Sequence, residues 1–197
     1  MERLRIYINM FRIFPTYICM RNSKDKEIIF NDFFRWKSIL LRTVDSDIYF
    51  LGFLLLFKKE YINLLIYRLK RKNIILATIT RLLWKPINTL YIETPEIGEG
   101  FFIQHGFATI ITANSIGKNC SVNQQVTVGY NGNERPTILD NVQISAGAKV
   151  IGGVILNNNC TVGANVVVVH DVPEDAIVGG VPARVLKYKE SQKNENA

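Results

Sequence analysis

A chain of 197 residues carries 24 Lys and Arg against 17 Asp and Glu, which gives a formal charge of +7. This length suits one substantial core, or a repetitive coil with a small companion segment. Three Cys, an odd number without framework spacing, argue against a disulfide scaffold and for a reducing compartment. The N-terminus lacks the pattern of a secretory leader, and the longest apolar run, Ile48 to Phe57, is about half of the ~20 residues that a membrane span needs. We therefore expect a cytoplasmic protein.

The positive charge is concentrated in the first part of the chain. Residues 1–85 hold 17 Lys and Arg against 7 Asp and Glu, whereas residues 86–197 hold 7 against 10. The basic residues form no recognisable nucleic-acid-binding motif, so we expect no nucleic-acid partner. Solvated helix faces explain them best, and peripheral contact with a membrane surface is the second interpretation.

The first part of the chain reads as a small helical segment. Residues 1–30 give no clear assignment, because Pro15 interrupts an approximate helical stripe. Helices are predicted over residues 32–41, from the capping cluster Asp45-Ser46-Asp47 to Phe57, over 60–71 and over 74–84. The helices are too few and too apolar to stand alone, so they must pack on each other, on the rest of the chain or on a second subunit.

From Ile97 onward an aliphatic residue recurs every six positions. These anchor residues are Ile97, Ile103, Thr109 or Ile110, Ile116, Val122, Val128, Ile138, Ile144, Val150, Leu156, Val162 and Val168. A period of six fits neither an amphipathic helix nor an alternating strand. It predicts a mainly β protein built as a left-handed parallel β-helix, in which three hexapeptides complete one triangular turn. The residue after each anchor is often Gly or Asn, which suits left-handed backbone angles at a corner.

Three further features constrain function. Between Val128 and Ile138 the spacing is ten, so a loop leaves the coil, and such loops often carry function. Only His105 and His170 are present, which argues against a β-helix carbonic anhydrase with its three zinc-binding His. Residues 1–85 contain a single Gly, Gly52, which argues against a sugar-nucleotide pyrophosphorylase with its glycine-rich loop. Cys120 and Cys160 lie two residues before anchors and are expected to be small core residues.

Several stretches together resemble the serine acetyltransferase family of hexapeptide acyltransferases. The resemblance covers roughly residues 45–188. The stretches are Tyr61-Ile-Asn-Leu-Leu-Ile-Tyr-Arg68, Gly100-Phe-Phe-Ile-Gln-His105, Arg135-Pro-Thr-Ile138, Ile144-Ser-Ala-Gly-Ala-Lys149, Val162-Gly-Ala164 and Gly180-Val-Pro-Ala-Arg184.

The resemblance implies an acetyl-CoA-dependent O-acetyltransferase without a metal. His105 falls on the family's catalytic His, a general base for the acceptor hydroxyl, and Glu93 is the nearest acid that supports it. Family members are trimers that hold acetyl-CoA in the groove between neighbouring coils. By this resemblance the cofactor-contact residues are Gly129, Ala146, Gly147, Gly163 and Ala164, and the residues that meet the nucleotide phosphates are Lys149, Arg184 and Lys187.

The sequence departs from the family pattern where the acceptor would bind. Typical members carry an acid immediately before the catalytic His and an Arg-His pair in the loop, and these hold the serine amino and carboxylate groups. Here the corresponding residues are Gln104 and Glu134-Arg135. Arg135 retains the ability to bind a carboxylate bidentately, whereas the partner for the ammonium is weakened.

The sequence thus predicts three regions: a helical segment over residues 1–88, a β-helix acyltransferase domain over 89–186 and a polar tail over 187–197. The predicted reaction is acetylation of L-serine to O-acetylserine, a step of cysteine biosynthesis, by a homotrimer. One alternative is acetylation of a sugar hydroxyl in surface-polysaccharide synthesis. A non-catalytic β-helix scaffold is the alternative outside enzymes.

Overall fold

The computed structural model of this chain describes residues 1–42 and 45–190, with helices first and short strands after them. The helices are α1 (Glu2–Ile8), α2 (Met10–Arg21), α3 (Lys26–Ile39), α4 (Asp47–Phe57), α5 (Lys59–Lys72) and α6 (Ile74–Leu83). The strands are β1 (Leu90–Ile92), β2 (Glu96–Ile97), β3 (Phe102–Ile103), β4 (Thr109–Ile111), β5 (Ser115–Ile116), β6 (Ser121–Val122), β7 (Thr127–Gly129), β8 (Thr137–Ile138), β9 (Gln143–Ile144), β10 (Lys149–Ile151), β11 (Ile155–Leu156), β12 (Thr161–Val162), β13 (Val167–Val168), β14 (Ala176–Gly179) and β15 (Arg184–Tyr188).

The four helices predicted after residue 30 are confirmed as α3 to α6. α4, α5 and α6 match the predicted spans to within a residue or two. α3 begins six residues earlier than predicted, because Ile29 extends the buried face that Phe33 and Trp36 form. None of the helices in the described part of the chain is long and apolar enough to cross a membrane.

Pro15 does not interrupt a helix, contrary to the prediction. It lies inside α2, where a proline removes one main-chain hydrogen bond and crowds the preceding turn. The helix continues because its opposite face is buried, with Ile13, Thr16 and Met20 all fully enclosed. Trp84 Nε1 also donates a hydrogen bond of 2.7 Å to Thr16 Oγ1. Tertiary packing therefore outweighs the local cost of the proline.

The strands form the three faces of a parallel β-helix, as the six-residue period predicts. The first sheet has the order β1-β4-β7-β10-β13, the second β2-β5-β8-β11, and the third β3-β6-β9-β12-β14-β15. Ile144 pairs with Val162 and Val150 pairs with Val168, so partners are eighteen residues apart, which is three repeats of six. Among the strand pairs of the described residues, only β14 and β15 are antiparallel. The predicted fold class is confirmed.

The anchors point into the coil, with one shift of position. The anchors other than the third are at most 3% exposed, from Ile97 to Val168. For the third, Thr109 is buried but Ile110 is 41% exposed, and it is Ile111 that pairs with Val128. The turn of residues 104–108 is longer than the regular corners, so β4 enters the coil later than a strict period of six places it.

The left-handed corners lie three residues after the anchors rather than one, which corrects the prediction. Residues with positive φ at these corners are Gly100, Asn119, Gln125, Asn141, Gly147, Asn159 and Asn165. Gly98 and Gly117, directly after anchors, are needed for another reason. A Cβ added to Gly98 would lie 2.6 Å from the main-chain carbon of Gly117, so a side chain there would push successive turns apart.

The helices pack against the start of the coil. Trp36 Nε1 donates a hydrogen bond of 2.8 Å to the carbonyl of Phe101, and the Tyr67 hydroxyl donates one of 2.9 Å to the carbonyl of Thr94. The last helix ends at Leu83 and the first strand begins at Leu90. At the other end, β15 continues to Tyr188, two residues beyond the predicted limit of the coil at residue 186. Most of the predicted tail, residues 191–197, lies outside the described residues.

Candidate active site

The residues that the sequence singles out lie mainly along two edges of the first sheet. Its strands are parallel, so the turns before them share one edge and the turns after them share the other. We call the preceding turns, residues 104–108, 123–126, 145–148 and 163–166, the histidine corner. We call the following turns, residues 93–95, 112–114, 130–136, 152–154 and 169–171, the loop corner.

His105 lies in the first turn of the histidine corner and is exposed, next to the exposed Gln104. Its φ of 65° is left-handed, a conformation that is uncommon for residues other than glycine. Its carbonyl accepts a hydrogen bond of 2.6 Å from Phe107 N, which closes a tight turn. The imidazole therefore stands at the surface on a constrained piece of main chain.

Hydrogen bonds between successive turns align the histidine corner. Three of 2.9 to 3.0 Å join the carbonyl of Phe107 to Gln125 N, that of Gln124 to Gly147 N, and that of Ala146 to Asn165 N. The structure thus brings four of the five predicted cofactor-contact residues onto the same corner as His105, two and three turns further along. They are Ala146, Gly147, Gly163 and Ala164.

This part of the corner has little side-chain cover. Gly147 has φ of 74°, and a Cβ added there would overlap Asn165 Oδ1, so a larger residue would require the Asn165 side chain to move. A Cβ on Gly163 would lie 3.0 Å from the carbonyl oxygen of Val178. Ala146 is half-buried and Ala164 is exposed. A thin, extended ligand such as a pantetheine arm can therefore lie close to the main chain here.

Of the three predicted phosphate-binding residues, two flank this corner. Lys149 Nζ donates a hydrogen bond of 2.6 Å to the carbonyl of Gln125. Arg184 is exposed and pairs with Gly179, at the end of β14 nearest the corner. Lys187 pairs with Ile177 instead, which places it further along the third sheet.

Glu93 and Gly129 belong to the other edge of the sheet. Glu93 is exposed, and its main-chain N donates a hydrogen bond of 3.0 Å to the carbonyl of Ile111. Together with Tyr91, Thr112 and Tyr130, both residues line an open groove of about 430 Å³.

Glu93 and His105 are therefore separated within one chain. β1 and β4 are paired, with Leu90 opposite Thr109 and Ile92 opposite Ile111. Glu93 follows the last residue of β1, whereas His105 precedes the first residue of β4, so the two lie at opposite ends of the pair. At about 3.3 Å per residue, roughly 10 Å of strand lies between the two corners. No hydrogen bond joins the two side chains within residues 1–42 and 45–190.

The expelled loop also lies at the loop corner. The Arg135 guanidinium carbon lies 4.6 Å from the centre of the Tyr130 ring, a cation–π contact, and the Arg135 carbonyl accepts a hydrogen bond of 3.0 Å from Asn114 Nδ2. Glu134 lines a cavity of about 360 Å³ beside His170. One chain thus places the predicted base at one corner and the predicted carboxylate-binding Arg135 at the other.

Glu60 is an acid near His105 that the sequence analysis missed. It lies in the first turn of α5 and is 7% exposed. A Cβ added to Gly106, the residue after His105, would lie 3.1 Å from Glu60 Cβ. An acid in the first turn of a helix is ordinarily explained by the helix dipole, so the sequence offers no signal for this contact.

Comparisons with known proteins show what this chain is similar to. Residues 135–170 match the family model of the bacterial transferase hexapeptide (six repeats). A serine acetyltransferase of Bacillus licheniformis is 45% identical over 96 residues, which is 46% of this chain and 44% of that protein. The chain is similar to serine acetyltransferases. The chain spans less than half the length of this curated relative.

Solved structures extend the likeness over more of the chain. The serine acetyltransferase of Neisseria gonorrhoeae, solved in complex with serine, superposes with a TM-score of 0.65 and 26% identity, over 85% of this chain and 72% of that one. A serine acetyltransferase solved with CoA has the same fold, with a TM-score of 0.55 and 24% identity over 82% of this chain and 69% of that one. The resemblance inferred from the sequence is confirmed.

Proposed function

We propose that this protein is an acetyl-CoA-dependent O-acetyltransferase and that its acceptor is the hydroxyl of L-serine. The observation that carries the proposal is the position of His105. It is exposed in the first turn of the histidine corner, and later turns of the same corner contain Ala146, Gly147 and Ala164. The likeness to serine acetyltransferases supports serine as the acceptor. The product would be O-acetylserine, which places the reaction in cysteine biosynthesis.

In this mechanism His105 is the general base. Its imidazole removes the proton of the acceptor hydroxyl while that oxygen bonds to the thioester carbonyl carbon of acetyl-CoA. The carbon–sulfur bond then breaks, and the CoA thiolate takes the proton back from the imidazolium. Main-chain N–H groups of the constrained turn are suited to hold the oxyanion that forms between these two steps. No group of His, Cys, Asp and Glu suited to hold a metal occurs among the residues that the structure describes.

The separation of the two corners supports a site built from two copies of the chain. In a trimer around a three-fold axis, one edge of each coil faces the opposite edge of its neighbour. The histidine corner of one copy would then face the loop corner of the next. Arg135 would bind the acceptor carboxylate across this interface, with Gln104 and Glu134 beside it, and Glu93 and Gly129 would serve the neighbour's site. The groove between the coils would hold acetyl-CoA, with Lys149, Arg184 and Lys187 toward its phosphates.

The decisive experiment is release of free thiol from acetyl-CoA in the presence of single amino acids and sugars. We expect L-serine to support rapid release and sugars to support little. An enzyme that is inactive on serine but active on a sugar hydroxyl would support the polysaccharide alternative and would leave the base and the cofactor groove unchanged. Absence of release with every acceptor would support the non-catalytic scaffold. A monomeric mass by light scattering with full activity would contradict the shared site.

The outward faces of α1, α2 and α6 are suited to peripheral contact with an anionic membrane surface. Their exposed large apolar side chains are Leu4, Tyr7, Ile8, Phe11, Phe14, Ile18, Ile74, Ile75, Ile79 and Leu82. Residues 1–21 and 70–85 carry nine Lys and Arg against one acid, so a second copy docked on this face would bring like charges together. An apolar face with basic flanks instead suits anionic headgroups.

Sedimentation with vesicles tests this contact. We expect binding to vesicles that contain phosphatidylglycerol, weaker binding to pure phosphatidylcholine, and loss of binding in the double variant Phe11→Ser, Phe14→Ser. A larger assembly by light scattering that disappears in the same variant would identify the face as a contact between copies. We infer a cytoplasmic location, supported by the three free, buried cysteines in the described residues.

A further inference from the structure

Glu60 is a largely buried acidic residue beside the candidate base. Its side chain lies at the N-terminal end of α5 and packs next to Gly106 and Leu90. Over residues 1–42 and 45–190, no hydrogen bond or ion pair to its carboxylate is found. The residue stays 7% exposed, so it is not sealed from solvent.

The Glu60 carboxylate keeps some contact with water, because its oxygens are not among the fully buried atoms that lack a partner in the described residues. A carboxylate in a mostly enclosed position attracts a cation more strongly than one in open solvent, where water and salt screen the charge. The helix dipole at the start of α5 also favours the ionised form of this group. A cationic group of a ligand can therefore bind here.

We propose that Glu60 binds the ammonium group of the acceptor and so determines which alcohols the enzyme accepts. The inference rests on the proposed function and deepens it. In a 2-amino alcohol such as serine, the ammonium nitrogen and the hydroxyl oxygen are separated by only two carbon atoms. An acceptor whose hydroxyl is at His105 therefore carries its ammonium to the surroundings of Gly106, where Glu60 packs.

The other polar residues of the site are less suited to this role. Gln104, directly before His105, is a neutral amide and offers no charge. Glu93 and Glu134 are exposed and lie at the loop corner, so they reach His105 only from a neighbouring copy. Glu60 belongs to the same chain as His105 and is held by a helix, which fixes its position relative to the base.

The experiment compares two acceptors that differ only in the ammonium group. L-Serine and 3-hydroxypropionate share the hydroxyl and the carboxylate, and the second lacks the amine. kcat/KM is measured for both with wild type and Glu60→Gln, and 3-hydroxypropionate is also measured as a competitive inhibitor of serine acetylation. Glu96→Gln, which changes an exposed acid of the second sheet, is the matched control.

We expect Glu60→Gln to reduce the preference for serine over 3-hydroxypropionate by at least about tenfold, because it removes a charge-assisted bond. Turnover and inhibition by 3-hydroxypropionate should change little, and the thermal midpoint should stay close to that of wild type, since Gln has the same size and no described residue pairs with this carboxylate. Glu96→Gln should behave as wild type.

The outcomes separate this inference from the proposed function. Equal losses on both acceptors would assign Glu60 to positioning His105 and would overturn the ammonium assignment. An unchanged preference in Glu60→Gln, with a lost preference in Glu93→Gln or Glu134→Gln, would move the ammonium site to the neighbouring copy. A wild-type enzyme that acetylates no amino acid would overturn the proposed acceptor and this inference together.

Discussion

Arg68 of α5 and Asp32 of α3 form a buried ion pair where the helical segment meets the coil. Arg68 Nε donates to Asp32 Oδ2 at 2.8 Å, and each side chain is 2% exposed. Arg68 Nη2 also donates to the carbonyl of Gly98 at 2.7 Å, while Phe101 N donates to Asp32 Oδ1 at 2.9 Å. These contacts hold α5, the helix that carries Glu60, against the turns of the coil that precede His105.

We expect Arg68→Ala to lower the free energy of unfolding by about 3–5 kcal/mol, because it leaves the Asp32 carboxylate buried without its cation. Urea denaturation followed by circular dichroism measures the change. Lys118→Ala is the control. Lys118 and Glu99 are 3.1 Å apart, but the Lys118 side chain is 61% exposed, so its loss should cost at most about 1 kcal/mol. Equal effects of the two variants would contradict a structural role for the buried pair.

The cysteines of the coil should be chemically inert in the native protein. Burial raises the pKa of Cys120 to about 11 and that of Cys160 to about 12. At pH 8 both thiols are therefore protonated, and only the thiolate reacts with disulfide reagents or alkylating agents. Labelling with an aromatic disulfide should be slow before denaturation, and all three thiols should react in urea. Rapid labelling of native protein that maps to Cys120 or Cys160 would contradict this environment.

Removal of the base should affect turnover and not folding. We expect His105→Asn to lower kcat by at least about 100-fold, the usual contribution of a general base. The free energy of unfolding should change by less than about 1 kcal/mol, since the side chain is exposed and Asn accepts the left-handed angles of this turn. Steady-state kinetics and urea denaturation measure the two effects. Near-normal turnover would remove His105 from the mechanism.

Gly147 should be required for its small size as well as for its backbone angles. Gly147 and Gly132 both have positive φ, of 74° and 60°. A Cβ at Gly132 meets nothing within 4 Å, whereas one at Gly147 would overlap Asn165 Oδ1. Gly132→Ala should therefore cost only the backbone strain, about 1–2 kcal/mol. Gly147→Ala should cost more and should raise KM for acetyl-CoA. If the two variants are equally stable and KM for acetyl-CoA is unchanged in Gly147→Ala, Gly147 has no role in the cofactor groove.

The sequence predicted the parts of this structure that follow from local repetition. A narrow prism accepts only aliphatic side chains, so anchors such as Val122 and Val162 reveal the coil through their spacing alone. The same reasoning failed at Ile111, where the period of six predicted Thr109 or Ile110 as the anchor. The turn of residues 104–108 is longer than the other corners, and the period cannot predict the resulting shift of β4. The sequence reasoning also failed at Pro15, where packing between distant helices outweighs a local rule.

The candidate site was predicted only in part, because its geometry depends on which corner each turn occupies. The resemblance to a family indicated His105, Glu93 and Arg135, but it did not show that two of them lie at the loop corner. Glu60 left no signal, since its contact with Gly106 arises from the docking of α5 on the coil. Contacts between segments far apart in sequence have no local pattern from which to predict them.

The placement of His105 and Arg135 at opposite corners leads to a prediction for mixed oligomers. Alone, Arg135→Ala should raise KM for serine strongly and leave KM for acetyl-CoA nearly unchanged, because a charge-assisted bond worth about 1.5–3 kcal/mol is lost. Alone, His105→Asn should be almost inactive. If each site takes its base from one copy and its arginine from the next, a mixed trimer contains some interfaces where both residues are intact.

Co-expression of the two variants, followed by purification of trimers that carry both affinity tags, tests this arrangement. Every trimer that contains both variants has one intact interface among its three, so we expect activity at low serine concentration well above that of either variant alone. A double variant with both substitutions in one chain, mixed with wild type, is the matched control for expression and assembly. If mixed trimers of the two single variants show no gain, the base and the arginine serve the same site within one chain. That result would require the loop of residues 130–136 to fold back over the first sheet toward His105.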